Sequence, residues 1–343
     1  MPSRIGQLGR DFAGFIPPAL ARAWGRPAAV FFHGVERGAL DPRIQGDHHN
    51  VDSFRRIARA LKENFDVLPL AALGDVLKRP ERHSKAVFLM ADDGYANTLT
   101  NAAPILEEFA LPWTLFLSTH HMDTREPNPV FLARLFVHFA PRGTYRIPHF
   151  ANEIMFGDES QRSEIMRPLL HQMKHLSASK AREALDAMLA VFSENELSEL
   201  IAKFPSEKFL TWDEARALHA KGVAIGAHAH WHWPMNAAQS PDYLREQAEA
   251  SRARIESEIG PCNAFAYPFG NTEDVCADAW RAVRDAGFRY GFTTLSASLG
   301  TGQNPFLLPR YGLGPEGGNL ASLIPLLSAG NQRLMRWQDR LAG

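Results

Sequence analysis

A run of six apolar residues, Ala86 to Ala91, that stops abruptly in Asp92-Asp93-Gly94 constrains this chain more than any other stretch. An uncharged run rich in Val, Phe and Leu suits a strand buried on both faces, as in a parallel sheet or barrel. Taken alone, the Asp-Asp-Gly stop is only a turn, because Asp and Gly punctuate strands for conformational reasons. A second stretch changes that reading. Gly222 to Ala227 is another buried-strand pattern, and it runs straight into His228-Ala-His-Trp-His232. Two strands that each end in metal-capable side chains predict one site at the carboxyl ends of a parallel sheet or barrel.

The rest of the chain alternates in the same way. Ala28–His33 reads as a first strand, followed by a polar loop with Asp47-His-His-Asn50 and a helix from about Ser53 to Asn64. A short strand (Phe65–Leu70) and a helix (Ala71–Lys78) lead to the Asp-Asp-Gly strand. After it come helical periodicity over Thr98–Phe109 and another buried strand, Pro112–Ser118. From about 122 to 206 the alternation gives way to helical spacing, as in Ile165, Leu169, Met173 and Leu176. That segment is expected to be a mainly helical insertion, either a cap beside the site or a cover for one barrel face. Thr211-Trp-Asp-Glu214 is a capping box that reopens the alternation. Strands are then expected at Asn263–Tyr267 and Phe288–Thr294, with a last strand-like turn after Leu307-Leu-Pro-Arg310. Alternating strands and helices of this kind indicate an α/β fold with parallel strands. The domain plan is an arm (1–26), one barrel (27–318) carrying the insertion, and an amphipathic tail (319–343).

Composition narrows the function classes. With Lys+Arg 37 against Asp+Glu 38, the chain lacks the basic excess of a nucleic-acid binder. Two cysteines without a CxxC pair exclude a disulfide framework and a cysteine zinc site. Arg10, Asp11, Pro17-Pro18 and Arg22 interrupt the first residues, so no signal-peptide core is expected, and no stretch is long enough to span a bilayer. The expectation is a cytoplasmic protein. Phe12, Phe15 and Ile16 near arginines, and the tail with Arg333, Arg336 and Arg340, suggest peripheral contact with a membrane face, or docking on the barrel.

These motifs resemble a known family. MADDGYANTLTNAAPILEEFALPWTLFLST is similar to the first motif of the polysaccharide deacetylases, the NodB-homology enzymes of carbohydrate esterase family 4. TWDEARALHAKGVAIGAHAHWH resembles their second motif and FAYPFGN their third. GFRYGFTT with LPR, and FFHGV near the start, resemble the poly-N-acetylglucosamine deacetylase branch. The resemblance implies a distorted (β/α)7 barrel and a metal-dependent N-deacetylase of amino sugars. It makes Asp92 the general base and Asp93, His228 and His232 the ligands of a divalent metal, most simply zinc. It also makes the backbone N–H of Phe269 an oxyanion donor.

The chemistry of these side chains supports that assignment independently. Two imidazoles and one carboxylate with an open position make a catalytic rather than a structural zinc set. Such an ion polarises an acetyl carbonyl and lowers the pKa of its bound water, while the neighbouring carboxylate stays free to take a proton. His33, Tyr95, Trp231 and Tyr267 are candidates for sugar contact, since a sugar's C–H face packs on aromatic rings. Two departures from the family stand out. Ala266 occupies the place of the arginine that orients the base, so the pKa of Asp92 is expected to be less depressed. The family's late histidine acid is absent, because no histidine follows His232, and Arg310 is the nearest charged replacement. Two other readings stay open: an inactive glycan-binding barrel, and hydrolysis of a non-sugar amide.

Overall fold

The computed structural model describes residues 26–314 and 331–342, so the expected N-terminal arm, save residue 26, and the first part of the expected tail, 319–330, lie outside the described residues. The first strand, β1 (Ala28–Phe32), is buried at every position. A short strand β2 (Val35–Glu36) pairs in parallel with β3 (His49–Asn50), which leads into α1 (Val51–Asn64). Then come β4 (Asp66–Val67), α2 (Leu73–Lys78) and β5 (Ala86–Ala91), the last again wholly buried. The helix expected over Thr98–Phe109 opens as a wide π turn, Thr98–Ala102, and becomes α3 only at Ala103–Glu108. Pro104 accounts for this, since it lacks an N–H and its ring would strike the carbonyl four residues back in a regular helix. Strand β6 (Trp113–Leu117) and α4 (Thr119–Thr124) complete the first half.

The interrupting segment holds α5 (Pro129–Phe139), an antiparallel hairpin of β7 (Gly143–Tyr145) and β8 (Ile154–Phe156), then α6 (Glu159–Lys174), α7 (Ala178–Leu189) and α8 (Glu194–Ala202). It builds its own core from Phe131, Leu135, Phe136, Phe156, Leu169 and Met188. The hairpin has no strong sequence signal, being two strands of three residues each. Alternation resumes with α9 (Trp212–Ala220), opened by the capping box: Glu214 N–H donates to Thr211 Oγ1 (3.1 Å) and Thr211 N–H to Glu214 Oε2 (2.7 Å). Such a cap stabilises a helix by about 1 kcal/mol. The chain continues through β9 (Ala224–Ala227), α10 (Pro241–Glu258), β10 (Ala264–Ala266), α11 (Ala277–Asp285), β11 (Tyr290–Phe292) and β12 (Tyr311–Gly312) to α12 (Asn331–Ala342).

The main sheet is parallel throughout, in the order β11-β10-β9-β6-β5-β1-β12, with β4 paired to the first residues of β5. Its two edges meet through one stretch of chain. Leu308 bridges to Phe292, and a few residues later Tyr311 pairs with Val30. The result is a distorted (β/α)7 barrel. Alternate residues point to opposite faces of each strand. Ala29, Phe31, Phe88, Met90, Phe116, Ala264, Ala266 and Phe292 share the bore, and Val30, Phe32, Leu89, Leu115 and Phe265 pack against the helices outside. Burial on both faces explains the unbroken apolar runs, and each fully buried Phe contributes about 1.5–3 kcal/mol. The bore is tight: a Cβ on Gly226 would lie 2.5 Å from the Phe116 ring, so only glycine fits there. At the far end of the chain, Leu334 and Trp337 of α12 are buried in the barrel core, and Gln338 bonds to Asn304 N–H and Leu307 O. The barrel takes up these two side chains, so they are not offered to a bilayer. No helix among the described residues is long and apolar enough to cross a membrane.

Candidate active site

Because the strands are parallel, their carboxyl ends share one rim, and the motif residues gather there. β5 delivers Asp92 and Asp93, β9 leads to His228 and His232, and β10 leads to Phe269. Seven described non-glycine residues have positive φ, and Asp93 (73°), Ala229 (57°), His232 (45°) and Phe269 (60°) are four of them. Each such residue costs roughly 1–3 kcal/mol, and strain of this kind persists where surrounding structure over-determines it. Its concentration in the three motifs marks the rim as the functional end of the barrel.

Asp93 Oδ1 lies 3.1 Å from His228 Nε2 and 2.9 Å from His232 Nε2, with all three side chains buried. His228 Nδ1 is 2.8 Å from Ala266 O. A carbonyl can only accept, so the ring proton sits on Nδ1 and the Nε2 lone pair faces the carboxylate. Two electron-rich atoms at that separation need a shared cation, and Asp93 Oδ1 has no well-directed hydrogen bond of its own. The donor set therefore fits a divalent metal of the zinc type. Burial works against charge on Asp93, but His232 and His228 outweigh it and hold the carboxyl well below its usual range. Burial likewise disfavours a charged His228, yet Asp92 and Asp93 outweigh it and raise its pKa above the usual imidazole range.

Asp92 sits apart from this set, 1% exposed. Arg310 Nη1 and Nη2 donate to its two carboxylate oxygens at 2.7 and 2.8 Å, and Arg310 Nε donates to Thr293 O at 3.1 Å. The guanidinium is wholly buried at the top of the bore, 4.4 Å from the Phe31 ring centre. The expectation that Asp92 lacks an orienting arginine is therefore corrected. Ala266 does leave that position empty, but Arg310 fills it from the residue just before β12, which closes the barrel. Burial pushes Asp92 up, whereas the charges of Arg310 and His228 and the paired hydrogen bonds outweigh it and lower the carboxyl.

A cavity of about 320 Å³ opens above these residues. Its lining includes Asp92, Asp93, His228, His232, His33, Tyr95, Phe269 and Thr294. Tyr267 and Trp231 do not reach it. Tyr267 is a core residue, fully buried with its hydroxyl donating to Phe306 O (3.0 Å). Trp231 lies under the Arg182 guanidinium (4.3 Å) and lines a separate apolar pocket between barrel and insertion. Six lining residues carry no motif: Asp47, Asn128, Val130, Phe131, Arg134 and Leu170. Asn128 caps α5 by accepting from Val130 N–H (2.8 Å), and its amide nitrogen lies 3.3 Å from His232 Nδ1. Arg134 pairs with Asp47 and donates to Ile44 O (2.7 Å). No motif spacing flags them. Only the helical period of α5, which places Val130 and Arg134 one turn apart on one face, could have suggested a shared surface.

The Phe269 turn is held from both sides. Thr294 Oγ1 donates to Phe269 O (2.6 Å), and Lys174 Nζ at the end of α6 lies 5.0 Å from the Phe269 ring centre. Lys174 also pairs with buried Asp274 (2.7 Å), whose other oxygen accepts from Asn271 N–H (3.2 Å). The Phe269 N–H donates to no acceptor among the described residues.

The family model described as polysaccharide deacetylase matches residues 79–291, more than half of the chain. Similar solved structures include the Streptococcus pyogenes deacetylase PplD in complex with acetate (14% identity, 88% of this chain and 98% of that one, TM-score 0.56). IcaB from Ammonifex degensii is similar at 15% identity (88% and 97% covered, TM-score 0.53). A de-N-acetylase from Aggregatibacter actinomycetemcomitans is similar at 16% identity (85% and 97% covered, TM-score 0.50). At such identities these structures speak for the fold alone. No curated protein sequence matches significantly. With the family match spanning all three motifs, the chain belongs to the polysaccharide deacetylase family, hydrolases of carbon–nitrogen bonds other than peptide bonds.

Proposed function

We propose that this protein is a metal-dependent N-deacetylase of amino sugars, acting on a glycan or on a lipid-linked or otherwise activated glycan precursor. One observation carries the reading: two adjacent buried aspartates with different partners, Asp93 against two imidazoles and Asp92 against Arg310, on the floor of an open cavity. A zinc-type ion held by Asp93, His228 and His232 would supply Lewis acidity to the acetyl carbonyl and the attacking water. Asp92, outside that set, takes the water's proton, and Arg310 keeps it ionised and oriented. The Phe269 N–H donates to the oxyanion that forms as the carbonyl carbon becomes tetrahedral. An amide anion is too basic to leave, so the nitrogen must be protonated. Asp92 returns the same proton to it, since water and nitrogen are bonded to one carbon in that intermediate. The helical segment serves as a cap, with Phe131 and Arg134 lining the cavity together with Tyr95 and His33.

The test is acetate release from a panel of N-acetyl sugars, oligosaccharides and lipid-linked sugars, with and without chelator. Release from at least one substrate, stopped by chelator and restored by Zn2+, is expected. Release untouched by chelator overturns the metal's role. Glycan binding without acetate would favour an inactive barrel, and release only from non-sugar amides would change the substrate class.

A further inference from the structure

Two groups of three His, Asp or Glu side chains with metal-ligand spacing occur among the described residues, and the second lies away from the motifs. It comprises His171, His175 and Glu273, whose ligand atoms all fall within 4.8 Å of one another. The two histidines are one helical turn apart at the end of α6, with ring centres separated by 4.4 Å. Glu273 comes from the loop after the Phe269 turn, and its Oε1 is 3.9 Å from His171 Nδ1.

Three features make this more than a chance meeting of surface groups. First, His175 Nδ1 lies 2.7 Å from His171 O, and a carbonyl can only accept. The ring proton is therefore on Nδ1, and the Nε2 lone pair is free to bind. Second, the two contributing elements are already clamped together, because Lys174 between the histidines pairs with buried Asp274 beside Glu273. Third, the local charge is unbalanced. Lys174 reaches both Asp274 (2.7 Å) and Glu273 (3.6 Å), so two carboxylates share one ammonium and a negative charge is left over beside the imidazoles.

We propose that His171, His175 and Glu273 form a second divalent-cation site on the barrel rim. Two imidazoles and one carboxylate select a late first-row ion such as Zn2+ or Ni2+ over Mg2+ or Ca2+, which prefer oxygen. The three side chains are exposed, so water completes the coordination. Occupancy ties the end of α6 to the loop bearing Asp274, and so stiffens the turn that holds Phe269.

The experiment is equilibrium dialysis of chelator-stripped, untagged protein against Ni2+ or Zn2+. The parent should bind two equivalents and the His171→Ala/His175→Ala variant one. An Asp93→Asn variant should keep the rim equivalent, and its unfolding midpoint should still rise with Ni2+. Glu273→Gln should weaken the rim site without removing it. A double-histidine variant that binds as many ions as the parent overturns the proposal. If the Asp93 set itself held no metal, the parent would bind one ion and the rim variant none, so the two failures are distinguishable.

Discussion

The barrel buries both faces of its strands around a bore lined by Phe31, Phe88, Phe116 and Phe292, whereas the helical segment between α4 and α9 packs its helices around a separate core, with α5 at its centre. The two regions contribute differently to the cavity. The barrel supplies the side chains assigned to the chemistry: Asp93, His228 and His232 as metal ligands, Asp92 as the proton carrier with Arg310 paired to it, and His33 at the cavity wall. The helical segment supplies Phe131, Arg134 and Leu170, which can touch a substrate but sit on no strand end. The difference teaches a division of labour. The parallel sheet fixes the groups at the ends of β5 and β9, because each of these strands is paired on both sides. The helical segment adds its wall to the cavity from outside that strand frame.

The sharpest way to break this division is at Asp92. Asp92→Asn should abolish turnover while retaining metal, since loss of acid–base help alone costs about 10²–10⁴-fold and here one residue serves both proton transfers. Metal content and acetate release, measured together, check it. His232→Ala should instead lose metal, and equal metal in that variant and the parent would sink the ligand assignment. A His33→Ala variant as inactive as Asp92→Asn, yet folded and metal-loaded, would make His33 the acid.

Arg310 tests the barrel as a support. Arg310→Met leaves a buried carboxylate unpaired and should destabilise the fold by about 3–5 kcal/mol in urea unfolding. Adding Asp92→Asn should recover most of that. A double variant as unstable as the single one would mean that Arg310 acts by packing among the phenylalanines rather than by pairing.

A smaller effect belongs to His49, also on the barrel side. Burial holds its pKa down from 6.5 to about 4, while its Nε2–H donates to Leu313 O (3.0 Å). The unfolded chain binds a proton that the folded one refuses, so this contribution is intact above pH 6.5 and is lost as pH falls toward 4. The loss should reach about 3 kcal/mol. His49→Gln keeps a donor for Leu313 O and should flatten the stability curve over that range.

The smallest effect should come from the cap. Arg134→Ala is expected to raise KM about tenfold with kcat little changed, because it removes binding shared by ground and transition states. An equal fall in kcat would place the cap in the chemistry and end the division drawn above.

Much of the frame is legible in the sequence, for identifiable reasons. Apolar runs such as Ala86–Ala91 can be satisfied only by burial on both faces, and parallel strands bring their ends together. Asp93, His228 and His232 therefore had to lie near one another. The aromatic candidates were less legible, because periodicity does not say which face of a buried strand borders a cavity. Tyr267 went to the core and Trp231 to a different pocket, while Tyr95 reached the cavity.

By itself, then, the sequence determined the parallel α/β plan, the two strand ends that face each other, and the capping box that opens α9. These depend on local stereochemistry or on a short hydrophobic period. Tertiary structure alone decided that Arg310 reaches across 218 residues to clamp Asp92. It also decided that Arg134 of the cap and Asp47 of the barrel meet over the cavity, and that Lys174 braces the Phe269 turn. None of these contacts has a local pattern, because each exists only once the barrel has closed and the cap has docked, when a buried charge must find the one opposite charge within reach.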